Sequence, residues 1–194
     1  MDRRFFLVGV VMLSVILVVA VGAAVLMNFT PHLHGSVINP PIPAADFTLT
    51  DQVGKTAHLT DYRGKYVLMF FGYTNCPDEC PATMAFLGQV MSQLGNQADR
   101  VQVLFISTDP ARDTPQAVGD FVTRFNPGFI GLTGTQAVLQ AVWQDYGVTV
   151  EDNGETHSSF VYLIDPQGNV RLTYPYPITP QDVTADLRML FKRQ

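Results

Sequence analysis

Two cysteines, Cys76 and Cys80, are the only ones in the 194-residue chain, and they fall in the run Gly72-Tyr73-Thr74-Asn75-Cys76-Pro77-Asp78-Glu79-Cys80-Pro81. A thiol pair this close serves as a disulfide, a redox couple or a metal site. A disulfide closing so small a loop removes little chain entropy, so it is a poor staple. Thiol–disulfide exchange enzymes favour two residues between the sulfurs, whereas three stand here. Asp78 and Glu79 lie between the thiols, where they oppose thiolate formation and favour a bound cation. Two thiolates select thiophilic ions such as Cu(I) or Zn(II). A structural zinc site takes four protein ligands, and there is no further cysteine to supply them. A two-sulfur site completed by one imidazole suits copper better.

Four histidines are candidates for that imidazole. His32 and His34 fall in a proline-rich stretch and read as solvated, and His58 reads as a surface or core-edge residue of an early hairpin. His157 lies in a loop, Glu151 to Ser159, entering a strand whose neighbours carry the cysteine turn. Asp109 and Asp113, in Ser107-Thr108-Asp109-Pro110-Ala111-Arg112-Asp113-Thr114-Pro115, read as a turn aspartate and a helix-leading residue on the same sheet edge. Met84 and Met91, at helical spacing, read as core.

The elements that must position these residues follow from periodicity. KYVLMFFGY and VQVLFISTD are continuous apolar runs of buried strands, and PGFIGLTG reads as a further strand. DFTLTD and KTAHLTDY pair around Gly54, and FVYLIDPQGNVRLTY folds through Pro166-Gln167-Gly168. Helices follow the cysteines, with Pro81 expected first and Cys80 as N-cap. Others are expected after Thr114 with Pro115, after Thr135 ending before Gly147, and over TPQDVTADLRMLFKR. Backbone N–H groups at the first helix's N-terminus would stabilise a thiolate. Strands alternating with helices imply an α/β sheet covered on both faces, and sites form at the carboxyl ends of such strands.

Residues 5–27 carry no charge and are long enough for a transmembrane helix. Arg3 and Arg4 precede it and keep residues 1–4 cytoplasmic by the positive-inside rule. Residues 28–45 hold four prolines and no charge, the composition of an extended linker. One domain is expected over 46–194. Beyond the apolar segment ten basic residues face sixteen acidic ones, a net of −6. Such a balance offers no basic patch to nucleic acid or to anionic lipid.

Three separated stretches, in order, resemble the Sco (SenC) family: GYTNCPDECPATM, ISTDPARDTP and THSSFVYLIDPQG. Asn75 departs from the histidine or aromatic often found there, and Glu155-Thr156 replaces a common Val-Asp. The resemblance implies a thioredoxin-like fold, a central mixed sheet with helices on both faces, with an inserted element between Pro127 and Gly147. It implies one copper, as Cu(I) or Cu(II), held by Cys76, Cys80 and His157, with Asp109 and Asp78 near the site. It implies a metallochaperone rather than an enzyme, delivering copper to the Cu(A) subunit of cytochrome c oxidase. The alternative is a thiol–disulfide oxidoreductase that reduces that subunit's cysteines through the Cys76–Cys80 redox pair. The partners implied are a periplasmic copper donor and a thiol reductant, besides the oxidase subunit. A single-pass protein of a bacterial inner membrane, with its domain in the periplasm, is the expected setting.

Overall fold

The computed structural model describes residues 11–22, 32–151, 156–157, 160–175 and 178–192. The chain divides into two compact units, Met1–His32 and Leu33–Gln194. In the first, residues 11–22 form helix α1, with every residue exposed and most of them aliphatic. Among the described residues no helix is long and apolar enough to cross a membrane. The expected anchor over 5–27 runs beyond the described residues at both ends, and the tail 1–4 lies outside them.

The second unit contains β1 (Ser36–Pro43), β2 (Thr48–Asp51), β3 (Thr56–His58), β4 (Tyr66–Gly72), α2 (Glu79–Leu94), β5 (Val101–Ser107) and α3 (Pro115–Val122). It continues with β6 (Ile130–Thr133), α4 (Gln136–Asp145), β7 (Val150–Glu151), β8 (Thr156–His157), β9 (Phe160–Ile164), β10 (Asn169–Pro175) and α5 (Pro180–Phe191). Eight strands form one mixed sheet in the order β1-β10-β9-β4-β5-β6-β2-β3, and β7 and β8 form a separate ribbon. Strands β4, β5 and β6 run parallel, and β9 pairs antiparallel with β4.

Side chains alternate across a strand, so β4 feeds two cores. Leu68 and Phe70 pack with Val103, Phe105 and residues of α2, α3 and α5. Val67, Met69 and Phe71 pack on the other face with Leu104, Ile106 and the α4 residues Leu139, Val142 and Trp143. Helices therefore cover both faces, as the continuous apolar runs require. Residues 127–147 supply β6 and α4, the region of the expected insertion. The turn signals hold. Gly54 and Gly168 adopt positive φ in their hairpins, and the hydroxyls of Thr114 and Thr135 accept from Ala117 N–H and Val138 N–H as N-caps.

The stretch read from composition as a linker over 28–45 is in part a strand. Residues from Leu33 onward belong to the domain, and Ser36–Pro43 pairs with β10 at the sheet edge. Prolines suit an edge strand because one side of it needs no N–H donors. His34, expected in solvent, is fastened to α5. Its backbone N–H donates to Asp186 at 2.9 Å and its Nδ1 lies 2.8 Å from the same carboxylate. Gly35 N–H and the Tyr174 hydroxyl also donate to Asp186, which is fully buried. His58 meets its expectation: it starts the turn after β3, with its ring on the Phe47 carbonyl.

Candidate metal centre

β4 ends at Gly72, and the chain turns through Tyr73–Asp78 into α2. The register of that helix differs from the sequence expectation. Asp78 occupies the N-cap and Cys80 is the second helical residue. Pro81 is tolerated at the third position because the first four helical N–H groups have no intrahelical acceptor to lose. The first such bond runs from Ala82 N–H to the Asp78 carbonyl, at 3.1 Å. Cys80 N–H is left over, and it donates to the sulfur of Cys76 at 3.3 Å.

The two thiols are not joined in a disulfide, and they are unequal. Cys80 is fully buried and Cys76 partly so. The Cys80 thiol packs against the backbone of Gly72. A Cβ added there would sit 2.9 Å from the Cys80 sulfur, 2.9 Å from Phe70 and 3.0 Å from Phe105. Burial pushes the Cys80 thiol well up, and the neighbouring Cys76 and Glu79 add to the rise. Burial acts on Cys76 in the same direction. It is outweighed by hydrogen bonds from the backbone N–H groups of Cys80 and Asp78 and from the Cys80 and Tyr73 side chains, so Cys76 lies below the ordinary thiol value. Asp78 itself is exposed and reaches the site through its backbone N–H rather than its carboxylate.

The loop after β5 is tied to this turn. Thr108 N–H donates to the Gly72 carbonyl at 2.7 Å. The Asp113 carboxylate accepts from the Thr74 hydroxyl at 2.6 Å, from Thr74 N–H at 3.2 Å and from the Ser107 hydroxyl at 2.6 Å. Asp109, expected near the site, is buried and turned to the guanidinium of Arg112. Arg112 in turn lies 6.0 Å from the ring centre of Tyr73. Asp113 is the residue that sequence reasoning under-read. Its only signal was the placement of its loop on the same sheet edge as the cysteines.

His157 stands on β8, where its backbone pairs with Val150 of β7; its ring lies outside the described residues. Val150 and Asp109 line one recess of about 480 Å³ together with Trp143. The ribbon bearing His157 therefore borders the loop that is tied to the cysteine turn. His32 and His58 do not join a metal-sized cluster. Among the described residues no three His, Cys, Asp or Glu side chains gather in one. The donor set nevertheless fits a thiophilic ion: one sulfur is held towards thiolate at a helix N-terminus and a second touches it.

Comparison with known proteins gives one family. The sequence profile of SCO1/SenC matches residues 38–192. Protein SCO2, mitochondrial, of Saccharomyces cerevisiae is 39% identical over 132 residues, which are 63% of this chain and 44% of the yeast protein. The SCO2-like protein of Rickettsia felis is 32% identical over 152 residues, 74% of each chain. Less than half of the yeast protein is thus spanned. Among solved structures, Bradyrhizobium japonicum ScoI with copper bound superposes with a TM-score of 0.70 at 35% identity, covering 76% of this chain and 98% of that one.

Proposed function

The chain belongs to the SCO1/SenC family, and from that premise we propose that it is a copper metallochaperone serving assembly of the Cu(A) centre of cytochrome c oxidase. Cargo copper is held by Cys76, Cys80 and His157, one ion per domain. The observation that carries the reading is the unequal thiol pair at the start of α2, where Cys80 N–H meets the Cys76 sulfur. A helix N-terminus favours a thiolate there before any metal arrives. The copper-bound relative supports the choice of ion. Asp109 and Asp78 would act from outside the ligand set, Asp109 by holding Arg112 against the turn and Asp78 by its backbone N–H.

Release proceeds by ligand exchange. A thiolate of the Cu(A) subunit displaces one donor of this chain, a second follows, and the ion is passed on without being free. Reduced thiols are required throughout, so a thiol reductant and a copper donor in the same compartment are part of the reading. Helix α1, aliphatic and exposed along residues 11–22, supports a tether through 5–27, with Arg3 and Arg4 inside and the domain in the periplasm of a bacterial inner membrane.

The thiol asymmetry also favours a second reading, reduction of the recipient's disulfide. The Cys76 thiolate attacks one sulfur of that disulfide, forming a mixed disulfide and releasing one recipient thiolate. Cys80 then loses its proton and attacks the Cys76 sulfur, closing the Cys76–Cys80 disulfide and releasing the second thiolate. The recipient gains the two electrons this chain loses. One experiment separates the readings: the Cu(I)-loaded chain and the copper-free chain are each mixed with a copper-free Cu(A) domain. Transfer of copper to a pre-reduced domain supports the metallochaperone. Absence of transfer, with reduction of an oxidised domain by the copper-free chain, rejects it for the oxidoreductase.

A further inference from the structure

Asp113 is 1% exposed, and its carboxylate is satisfied by two hydroxyls and one amide. A buried carboxylate held by neutral donors is costly to keep, so what it joins matters. One oxygen, Oδ1, takes both the N–H and the hydroxyl of Thr74, two residues before Cys76. The other, Oδ2, takes the hydroxyl of Ser107, the last residue of β5. The backbone of Asp113 is fixed separately, its N–H by the Asp109 carbonyl at 2.9 Å and its carbonyl by the Thr133 hydroxyl at 2.7 Å. The carboxylate is therefore a two-pronged strut between the cysteine turn and a strand end that is itself anchored.

The strut grips the turn two residues before Cys76. Within the turn from Tyr73 to Asp78, the Thr74 side chain is hydrogen-bonded to another element through Asp113, the Tyr73 ring packs in the core, and Cys76 N–H bonds within the turn to the Tyr73 carbonyl at 3.3 Å. Pro77 brings no N–H of its own. The position of the Cys76 sulfur under Cys80 N–H thus depends on where Thr74 is held.

We propose that Asp113 is a positioning residue of the metal centre: by gripping Thr74 it sets the cysteine turn so that the Cys76 sulfur lies against the N-terminal N–H groups of α2. An asparagine has the shape but one acceptor oxygen, so it can no longer accept from both prongs, and it loses the charge that strengthens them. The strut deepens the copper reading, resting on it only for the spectroscopic readout below, and it applies equally if the thiols do redox chemistry.

The test uses the full chain, reduced and copper-free, as wild type, Asp113→Asn, Thr74→Val and Thr133→Val. Amide hydrogen exchange is followed at Cys80 N–H and, as an internal reference, at Phe70 N–H in β4. Asp113→Asn and Thr74→Val are each expected to speed exchange at Cys80 relative to Phe70 at least fivefold. Thr133→Val removes a bond to the Asp113 backbone and leaves the carboxylate alone, so it should change both amides in step. With Cu(II) added, the sulfur-to-copper absorption band should shift in the first two variants and not in the third. An unchanged Cys80-to-Phe70 ratio in Thr74→Val, or equal selectivity in Thr133→Val, overturns the proposal. Should Asp113→Asn fail to fold, Thr74→Val decides alone. Failure of wild type to bind copper rejects the copper reading and leaves the exchange test standing.

Discussion

The backbone N–H of Cys80 lies 3.3 Å from the sulfur of Cys76, so the second cysteine of the pair activates the first through its amide while its own thiol is buried. The two sulfurs should therefore differ in chemistry. In the reduced, copper-free protein, iodoacetamide is expected to label Cys76 before Cys80, because Cys76 is lowered by hydrogen bonds and Cys80 raised by burial. Mass spectrometry of partly labelled protein checks this. Labelling of Cys80 first would show that burial does not govern the pair.

The ring of His34 is paired with Asp186, which sets a pH dependence. The hydrogen bond to Asp186 raises His34 above its ordinary 6.5, with smaller contributions from the charges of Asp186 and Asp182. A raised folded value means that the protonated ring stabilises the fold. That contribution is complete below about 6.5 and is lost as pH rises through the folded value. The melting-temperature gap between wild type and His34→Gln should thus be widest below pH 6.5 and narrow above it. A gap that widens with rising pH would contradict the pairing.

Asp186 also holds β1 in place through His34 N–H and Gly35 N–H. Asp186→Ala strands those donors and the buried Tyr174 hydroxyl. Each stranded group costs roughly 1–3 kcal/mol, so a loss of about 3 kcal/mol or more is expected in urea unfolding. Faster amide exchange along β1 should accompany it, and β4 should stay protected below the unfolding transition.

Gly72 leaves room for the Cys80 sulfur, and Gly72→Ala would place a methyl group 2.9 Å from it. Overpacking of this kind costs about 1–3 kcal/mol. Because one contact is the thiol, the variant should also alter the rate at which copper-free protein forms the Cys76–Cys80 disulfide. Wild-type stability together with a wild-type oxidation rate would show that the backbone yields there without consequence.

Much of this was legible in the sequence because it is local. The apolar runs of β4 and β5, the caps at Thr114 and Thr135 and the glycine turns at Gly54 and Gly168 each depend on a few neighbouring residues. What was not legible depends on partners far along the chain. His34 meets Asp186 across 152 residues, and nothing in the proline-rich stretch marks it as the start of an edge strand. The α2 register shifted by two residues because proline is acceptable at more than one position of a first turn, so Pro81 alone could not fix Cys80. Asp113 read as helix-leading since its link to Thr74 exists only once β4 and β5 lie side by side. The cysteine pair was plain from composition, whereas His157 was marked by its place before a strand and by the family resemblance, and its backbone lies on a ribbon paired with Val150.

The most direct measurement is a Cu(I) titration of the reduced full chain in the presence of a competing chelator, with His157→Ala and Cys76→Ser alongside. Binding of one copper per chain is expected for wild type, at least tenfold weaker binding for His157→Ala, and loss of stoichiometric binding for Cys76→Ser. Wild type that takes up no stoichiometric copper, or a His157→Ala variant that binds as tightly as wild type, would contradict a three-donor copper site.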